Sequence, residues 1–293
     1  MAVSTRTVLD VVRLSTTYLA EHGSPSARLD AELLCAHALG LRRLDLYLQY
    51  DRPLRDDELQ RARDAVRRRG LQEPVAYITG ERDFYGRSFE VDRHVLVPRP
   101  ETETLVGLAL HRMRERAPRD VTPRVADLGT GSGCIAVTLA CEVAGADVVA
   151  TDISDEALAV AARNAARHDV AERISFLQGD WAAPVDGALD MVVSNPPYVT
   201  TDELETADPG VREYEPRLAL EAGDDGLDAY RALLASLEGR LQPAGVLLFE
   251  VDPRRGAAVT ALMELSFPGC SVQLHPDLTG RPRVAECSLS PLP

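Results

Sequence analysis

The residues with the most to say about chemistry are Ser194-Asn195-Pro196-Pro197-Tyr198, which end the short apolar run 190–193. Two successive prolines fix φ near about −65° and supply no N–H, and a residue before proline is driven out of the helical region. The chain must therefore leave a strand as a stiff, extended loop. Such a loop offers one amide side chain, backbone carbonyls with free lone pairs and a terminal aromatic ring. Together these can hold an amino group by its hydrogens, with the ring against it. A plain rigid turn explains the same residues equally well, so the choice rests on what lies upstream.

Upstream, Asp127-Leu128-Gly129-Thr130-Gly131-Ser132-Gly133 follows an apolar run and leads into a helix. Alternate glycines let the chain turn sharply and let a ligand approach the backbone with no Cβ in the way. The spacing is Gly-x-Gly-x-Gly, not the Gly-x-Gly-x-x-Gly of a dinucleotide site, and a Walker-type phosphate loop fails because the chain has no Lys. At the end of the next apolar run stands Thr151-Asp152-Ile153, where a carboxylate can accept both hydroxyl hydrogens of a ribose. Asp152 can also cap the following helix, although Ser154 or Asp155 serves that end better. Third comes Gly179-Asp180-Trp181. Here Asp180 can accept from an adenine amino group and the indole of Trp181 can cover the ring, unless this single Trp is a core residue.

These residues need a scaffold that brings strand ends together. After Pro123 the chain alternates apolar strands and amphipathic helices. Strands are expected at 125–128, 147–151, 174–177, 190–193 and 246–251, with two more near 271–274 and 284–287. Helices are expected at 135–143 and 155–167. That order predicts an α/β fold, a doubly wound and mostly parallel seven-stranded sheet with helices on both faces, its last two strands pairing antiparallel at one edge. Gly129–Gly133, Asp152, Trp181 and Asn195 then fall at the carboxyl ends of four successive strands, where open α/β sheets bind ligands.

Residues 8–69 are instead helical in period. Val8, Val11, Val12, Leu14 and Leu19 form one stripe, Leu29, Leu33, Leu34 and Leu41 a second, and a third helix runs from beyond Pro53 to Gly70. Between the two regions, Phe84–Val91 and Val95–Val97 read as two strands around a turn at Asp92 and Arg93. Pro98–Glu103 then opens a helix through Leu105, Leu108, Ala109 and Met113.

The 293 residues suffice for a large core and a smaller domain. Cys35, Cys134, Cys141, Cys270 and Cys287 are scattered and odd in number, the pattern of small core residues in a reducing compartment, and neither they nor the six His have metal-ligand spacing. No metal is expected. No apolar run reaches the roughly 18–20 residues of a membrane span, and Met1–Arg6 leads into no signal-type stretch, so a cytoplasmic protein is expected. The net charge of −14 disfavours a polyanionic partner, because such a chain repels phosphates in general. Arg61, Arg63, Arg67, Arg68 and Arg69 are the densest basic cluster, but Asp56, Asp57, Glu58 and Asp64 among them predict a solvated helix of mixed charge.

Taken with Ala27–Leu34, Glu73–Gly80, Phe84–Gly86 and Val97–Glu103, the Asp127–Gly133 loop and Ser194–Tyr198 make the chain resemble the HemK/PrmC family over nearly its whole length. Its members are S-adenosylmethionine-dependent methyltransferases that modify the glutamine side chain (N5) of the Gly-Gly-Gln motif in peptide-chain release factors. The resemblance implies a class I, Rossmann-like methyltransferase fold with S-adenosylmethionine as cofactor. It implies a helical substrate-docking domain at 1–75, a hairpin linker at 76–98 and a methyltransferase domain at 99–293. Donor contacts would come from Gly129, Thr130, Gly131, Asp152, Trp181 and Asn195, to which the strand-end reading adds Ser132, Gly133 and Asp180. Asn195, Pro196 and Tyr198 would act in catalysis, with Pro197 completing the substrate contacts. A release factor is the implied partner, with no stable nucleic acid, no membrane and a monomeric state expected.

Two alternatives stand beside that reading. An amino-methyltransferase of nucleic acid, acting on an exocyclic nitrogen of adenine or guanine, would use a similar tetrad but needs a basic groove. A small-molecule methyltransferase remains open because Glu250-Val251-Asp252-Pro253-Arg254-Arg255-Gly256 departs from the family pattern of Glu, a hydrophobic residue, Gly and a later Gln. The acid-rich stretch 202–228, with Pro209, Gly210, Gly223 and Gly226, reads as a mobile cover over the site.

Overall fold

The computed structural model describes residues 6–116 and 123–289. Met1–Thr5, read above for a leader, lie outside them. The chain divides into two compact units, one of residues 1–81 with 208–214 and one of 82–207 with 215–293.

The first unit holds α1 (Val8–Glu21), α2 (Ala27–Leu39), α3 (Arg43–Leu48), α4 (Asp56–Gly70) and α5 (Val75–Thr79). A capping box starts α1: Asp10 N–H donates to Thr7 Oγ1, and the Asp10 carboxylate accepts from Thr7 N–H. Val8, Val11 and Leu19 of α1 pack with Leu34, Cys35 and Leu39 of α2 and Ala62 and Val66 of α4 in two adjoining clusters. The polar positions close on one another. Arg69 meets Asp30 at 2.8 Å with both side chains nearly buried, and the same carboxylate accepts from Ser24 and Ser26. On α4, Arg61 pairs with Asp57 and Arg68 with Glu73, as expected of a mixed-charge helix.

In the second unit, β1 (Glu81–Phe84) and β2 (Arg87–Glu90) form a separate two-stranded sheet. Here the expected hairpin is corrected: the turn is Tyr85-Gly86, not Asp92-Arg93, and Val95–Val97 are not a strand. Tyr85 and Gly86 have φ of 50° and 73°, the paired positive values of the tight turn that suits strand twist. That turn lets Phe84 and Phe89 meet edge to face inside the core.

The helix α6 (Thr102–Arg116) is followed by β3 (Arg124–Leu128), α7 (Cys134–Glu142), β4 (Asp147–Asp152), α8 (Asp155–Arg167), β5 (Ile174–Gln178) and β6 (Leu189–Ser194). Beyond these come α9 (Thr201–Glu205), α10 (Pro209–Tyr214, grouped with the first unit), α11 (Asp228–Ser236), β7 (Leu241–Glu250), α12 (Gly256–Ser266), β8 (Ser271–Pro276) and β9 (Pro282–Ser288). Among the described residues the main sheet has seven strands in the order β5-β4-β3-β6-β7-β9-β8, parallel except that β9 runs against both β7 and β8. This is the expected doubly wound sheet with its antiparallel edge.

Successive residues serve opposite faces, as a pleated strand requires. Val125, Val148, Met191 and Leu248 pack with α6 and α7, while Ala126, Val149, Val192 and Leu247 pack with Tyr230, Leu233 and Leu234 of α11 and Val259 and Met263 of α12. The strand β3 lies between β4 and β6, so the winding reverses there and a crevice opens at the carboxyl ends. No helix among the described residues is long and apolar enough to cross a membrane.

One buried amide ties the hairpin to the crevice. Asn164 of α8 is fully buried, accepts from Glu90 N–H at 2.7 Å and donates to the carbonyls of Glu90 and Ser132 at 2.9 and 2.8 Å. Asn164→Ala strands three backbone groups, so a loss of about 2–4 kcal/mol is expected in denaturant unfolding; an unchanged midpoint would show that these bonds are dispensable.

Candidate active site

A cavity of about 620 Å³ lies within the second unit, against the carboxyl ends of β3, β4, β5 and β6. Gly129, Thr130, Gly131, Ser132, Asp152, Asp180, Trp181, Asn195 and Pro197 all line it. The structure brings these sequence-predicted residues together around one cavity. Gly133, Pro196 and Tyr198 stand outside its wall: Gly133 starts α7, Pro196 is buried, and the half-buried Tyr198 ring packs against the cluster beneath α11.

The glycine loop owes its shape to buried polar groups. Asp127 is fully buried, and its Oδ2 accepts from Thr130 Oγ1 at 2.6 Å and from Ala136 N–H at 3.1 Å. The carboxylate thus fixes the turn and faces the N-terminal end of α7, where helix N–H groups and dipole favour negative charge. Burial pushes its pKa up to about 7 despite these bonds. Thr151 O accepts from the N–H groups of Gly129 and Thr130, which binds the loop to the end of β4. At Gly133, with φ 77°, a Cβ would lie 3.0 Å from the Ala161 Cβ, so glycine permits the close seating of α8.

Asp152 accepts from Gly131 N–H at 2.9 Å through Oδ2 and from Ser154 N–H at 3.0 Å through Oδ1. Burial raises its pKa, and the backbone N–H groups of Ser154, Gly131 and Ile153 oppose that. The cap of α8 is Ser154, whose Oγ accepts from Ala157 N–H, so Asp152 is left to the cavity. Trp181 sits in the left-handed region with φ 48°, its carbonyl held by Thr151 Oγ1 at 2.8 Å. Its ring lies so close over Gly129 that a Cβ there would be 3.3 Å away. Such strain in a bulky residue marks a position fixed by its surroundings.

At the end of β6 Asn195 Nδ2 donates to Thr102 Oγ1 at 3.1 Å. The Tyr198 hydroxyl is pushed up to about 12, first by burial and then by Glu250, so the phenol keeps its proton and cannot serve as a base near neutral pH. Residues missed from the sequence complete the wall: Val95, Leu96, Pro98, Arg99 and Thr102 before and at the start of α6, Ile135, Ile153 and Ala157 around the loop, and Leu218 and Ala219 beyond. Of the stretch 202–228, expected as a cover, Pro216, Leu218, Ala219, Glu221, Ala222 and Gly223, in and around a short helical turn at Arg217–Ala219, line the cavity. The departing segment after β7 does not line the cavity. Asp252 accepts from Arg254, and Arg254 and Arg255 both reach Glu203 of α9 at 2.6 Å, which ties α9 to the chain after β7.

Residues 10–80 match the PrmC N-terminal domain model and residues 108–208 the methyltransferase small domain model. The release factor glutamine methyltransferase of Chlorobaculum tepidum is 43% identical over 96% of each chain, and that of Cereibacter sphaeroides is 43% identical over 96% of this chain and 98% of its own. The chain belongs to the release factor glutamine methyltransferase family. By family it is an S-adenosylmethionine-dependent methyltransferase. Solved structures share the fold: a Pyrococcus furiosus methyltransferase matches 71% of this chain and 91% of its own with a TM-score of 0.50 at 18% identity. The hMettl16 catalytic domain matches 78% and 82% with a TM-score of 0.54 at 17% identity.

The wall fits that donor. Asp152 offers a carboxylate for ribose hydroxyls, Ile135, Ile153, Ala157 and Trp181 offer apolar faces for a purine, and Gly129 and Gly131 let the backbone come close. Asp152→Ala is expected to weaken S-adenosylmethionine binding about 10- to 100-fold in calorimetry, and affinity equal to wild type would overturn its assignment. A pH dependence follows from Asp127. Its pKa in the fold lies above the ordinary value, so its contribution to stability is complete below about 4 and is lost as pH rises through about 7. The melting temperature of the ligand-free protein should fall between pH 5 and 8, with a shallower slope for Asp127→Asn.

Proposed function

We propose that this member of the family transfers the methyl group of S-adenosylmethionine to the side-chain amide nitrogen of a glutamine in a release factor, in the Gly-Gly-Gln motif, with Asn195 and the Pro196 carbonyl holding that amide. When bound, the donor supplies an electrophilic methyl on a positively charged sulfur, together with its own leaving group. The protein's task is therefore placement. A carboxamide nitrogen is a poor nucleophile because its lone pair is delocalised, and holding it in line at about 3–3.5 Å recovers much of the barrier.

The observation that carries this reading is Asn195 at the end of β6, in the same wall system as Asp152 and Trp181, with its NH2 committed to Thr102. That leaves Oδ1 as the end able to accept one hydrogen of the incoming amide. The Pro196 carbonyl follows directly in the chain and accepts the other. With both hydrogens engaged, the nitrogen presents its remaining face to the methyl. The proton is lost after transfer, so no strong base is required, in keeping with a Tyr198 phenol that stays neutral. Tyr198, whose ring packs on the cluster beneath α11, then backs the loop. Asp180 and Ser132 complete the donor half.

The same reading makes the helical unit, residues 1–75, the docking element for the release factor in the cytoplasm. Its surface groove of about 370 Å³ pairs Val11, Leu14 and Leu59 with Arg6, Arg63 and Arg67, an apolar floor with a basic rim. The −14 chain charge favours a protein acceptor over duplex nucleic acid.

The test is transfer of labelled methyl to purified release factor, with duplex DNA as the parallel arm. Asn195→Ala should lose about 100-fold or more in kcat/KM while donor affinity stays near wild type, and Asn195→Asp should lose less because it keeps an acceptor oxygen. Full turnover by Asn195→Ala, or preferential labelling of DNA, would sink the reading.

A further inference from the structure

Behind the acceptor loop lies a buried carboxylate that the mechanism above does not use. Glu250 ends β7, beside β6, and Ser194 pairs in register with Phe249, so Asn195 and Glu250 are the next residues at adjacent strand ends. Parallel neighbours at such ends are about 5 Å apart in the hydrogen-bonding direction. Glu250 is 1% exposed and Thr102, at the start of α6, is 2% exposed. Neither Glu250 oxygen has a hydrogen-bond partner among the described residues, and the Thr102 hydroxyl is the nearby group that most favours its charged form. Thr102 Oγ1 in turn receives Asn195 Nδ2–H. Amide and hydroxyl are thus bonded, and the buried carboxylate beside them is left without a partner.

A hydroxyl has one hydrogen to give, while a carboxylate can only accept. We propose that Glu250 is a positioning residue for the acceptor loop: its carboxylate takes the Thr102 hydroxyl hydrogen, so that Thr102 can only accept from Asn195 Nδ2, and Asn195 Oδ1 is thereby turned to the acceptor amide. The inference rests on the role given to Asn195 above. A protonated Glu250 reverses these bonds. Thr102 then accepts from the acid and donates to Asn195 Oδ1, and the Asn195 NH2 faces the glutamine NH2 as donor against donor. Productive binding of the acceptor therefore requires Glu250 ionised.

The surroundings place that ionisation near neutrality. Burial pushes Glu250 up to about 7, Glu101 adds to the rise, and Thr102, Arg283 and Arg99 oppose it. Cys134 of α7, Tyr198 of the acceptor loop and Tyr230 of α11 also feel its charge, and Tyr230 donates to the Glu250 backbone carbonyl at 2.7 Å. The burial that raises Glu250 also makes its charge costly to the fold, so stability and activity must respond to it in opposite directions.

The experiment is a pH series of single-turnover methylation for wild type, Glu250→Gln, Thr102→Val, Thr102→Ser and Asn195→Ala. Wild type should show an acidic limb, its rate rising with pH as Glu250 ionises. Glu250→Gln, which can donate or accept, should lose about 10- to 100-fold at pH 8 and lose the limb, with donor affinity within about twofold of wild type. Its melting temperature at pH 8 should rise, because a buried charge has been removed; a purely structural role would lower it. Thr102→Val should match the loss and Thr102→Ser should restore most of the rate, and this pair decides the matter if Glu250→Gln does not fold. Wild-type rate and pH profile in Glu250→Gln or Thr102→Val, alongside an inactive Asn195→Ala, overturn the relay and leave the role of Asn195 standing. An active Asn195→Ala overturns both.

Discussion

The paired bonds at Asp127 are the constraint on which the donor half of the site depends. A carboxylate with no exposure to water sits at the end of a central parallel strand, gripping Thr130 of the loop and Ala136 of the following helix. Burying such a group costs several kcal/mol unless its lone pairs are met. Here helix N–H and hydroxyl meet one oxygen, which closes the loop into a single shape. That shape sets where the Gly129, Thr130 and Gly131 amides stand, and Thr151 and Asp152 take them up from β4. Strand order, glycine turn and cavity-lining carboxylate are thus one connected object rather than separate motifs.

Much of this was legible in the sequence because each part obeys a local rule. An apolar run ending in an acid or a glycine turn marks a strand end, and four such ends in succession fall on one edge of a doubly wound sheet. That rule places Asp152, Trp181 and Asn195 at neighbouring strand ends, and all three line one cavity. At the hairpin two rules compete: Asp92-Arg93 looks like a turn by composition, yet Tyr85-Gly86 takes the left-handed pair and brings Phe84 against Phe89. Packing of two aromatic rings outweighed turn propensity. Thr102 and Glu250 stand in stretches that resemble the family, but nothing local ties either of them to Asn195. Thr102 sits in an unremarkable helix start and Glu250 in an apolar strand, and only the register of β6 on β7 and the placement of α6 bring them to Asn195.

The segment 252–255 departs from the family pattern at a place away from the cavity. None of its side chains reaches the cavity wall. Arg254 and Arg255 instead converge on Glu203, and Arg255 also donates to the carbonyl of Asp225. Beside them Gly226, at φ 72°, has no room for a Cβ, which would collide with the Arg255 guanidinium and the Tyr198 carbonyl oxygen. The arginines therefore brace the chain that follows the acceptor loop, and bracing is a task that different residues can perform from the same place. This weakens the case for a changed acceptor that the unusual residues raised.

The two halves of the site are held by different physics, and this bears on what each can tolerate. On the donor side, backbone amides and one buried acid fix geometry, and glycine is required by steric closeness to Trp181 and to α8. On the acceptor side, direction matters more than position. An asparagine amide has two ends of nearly the same size and opposite polarity, so packing alone cannot choose between them. A neighbour with a single hydrogen to give can choose, and Thr102 is that neighbour. Selecting a primary amide as acceptor therefore asks the protein to settle one hydrogen-bond polarity at the end of β6, and a sheet that places a buried carboxylate on the adjacent strand has the means to settle it.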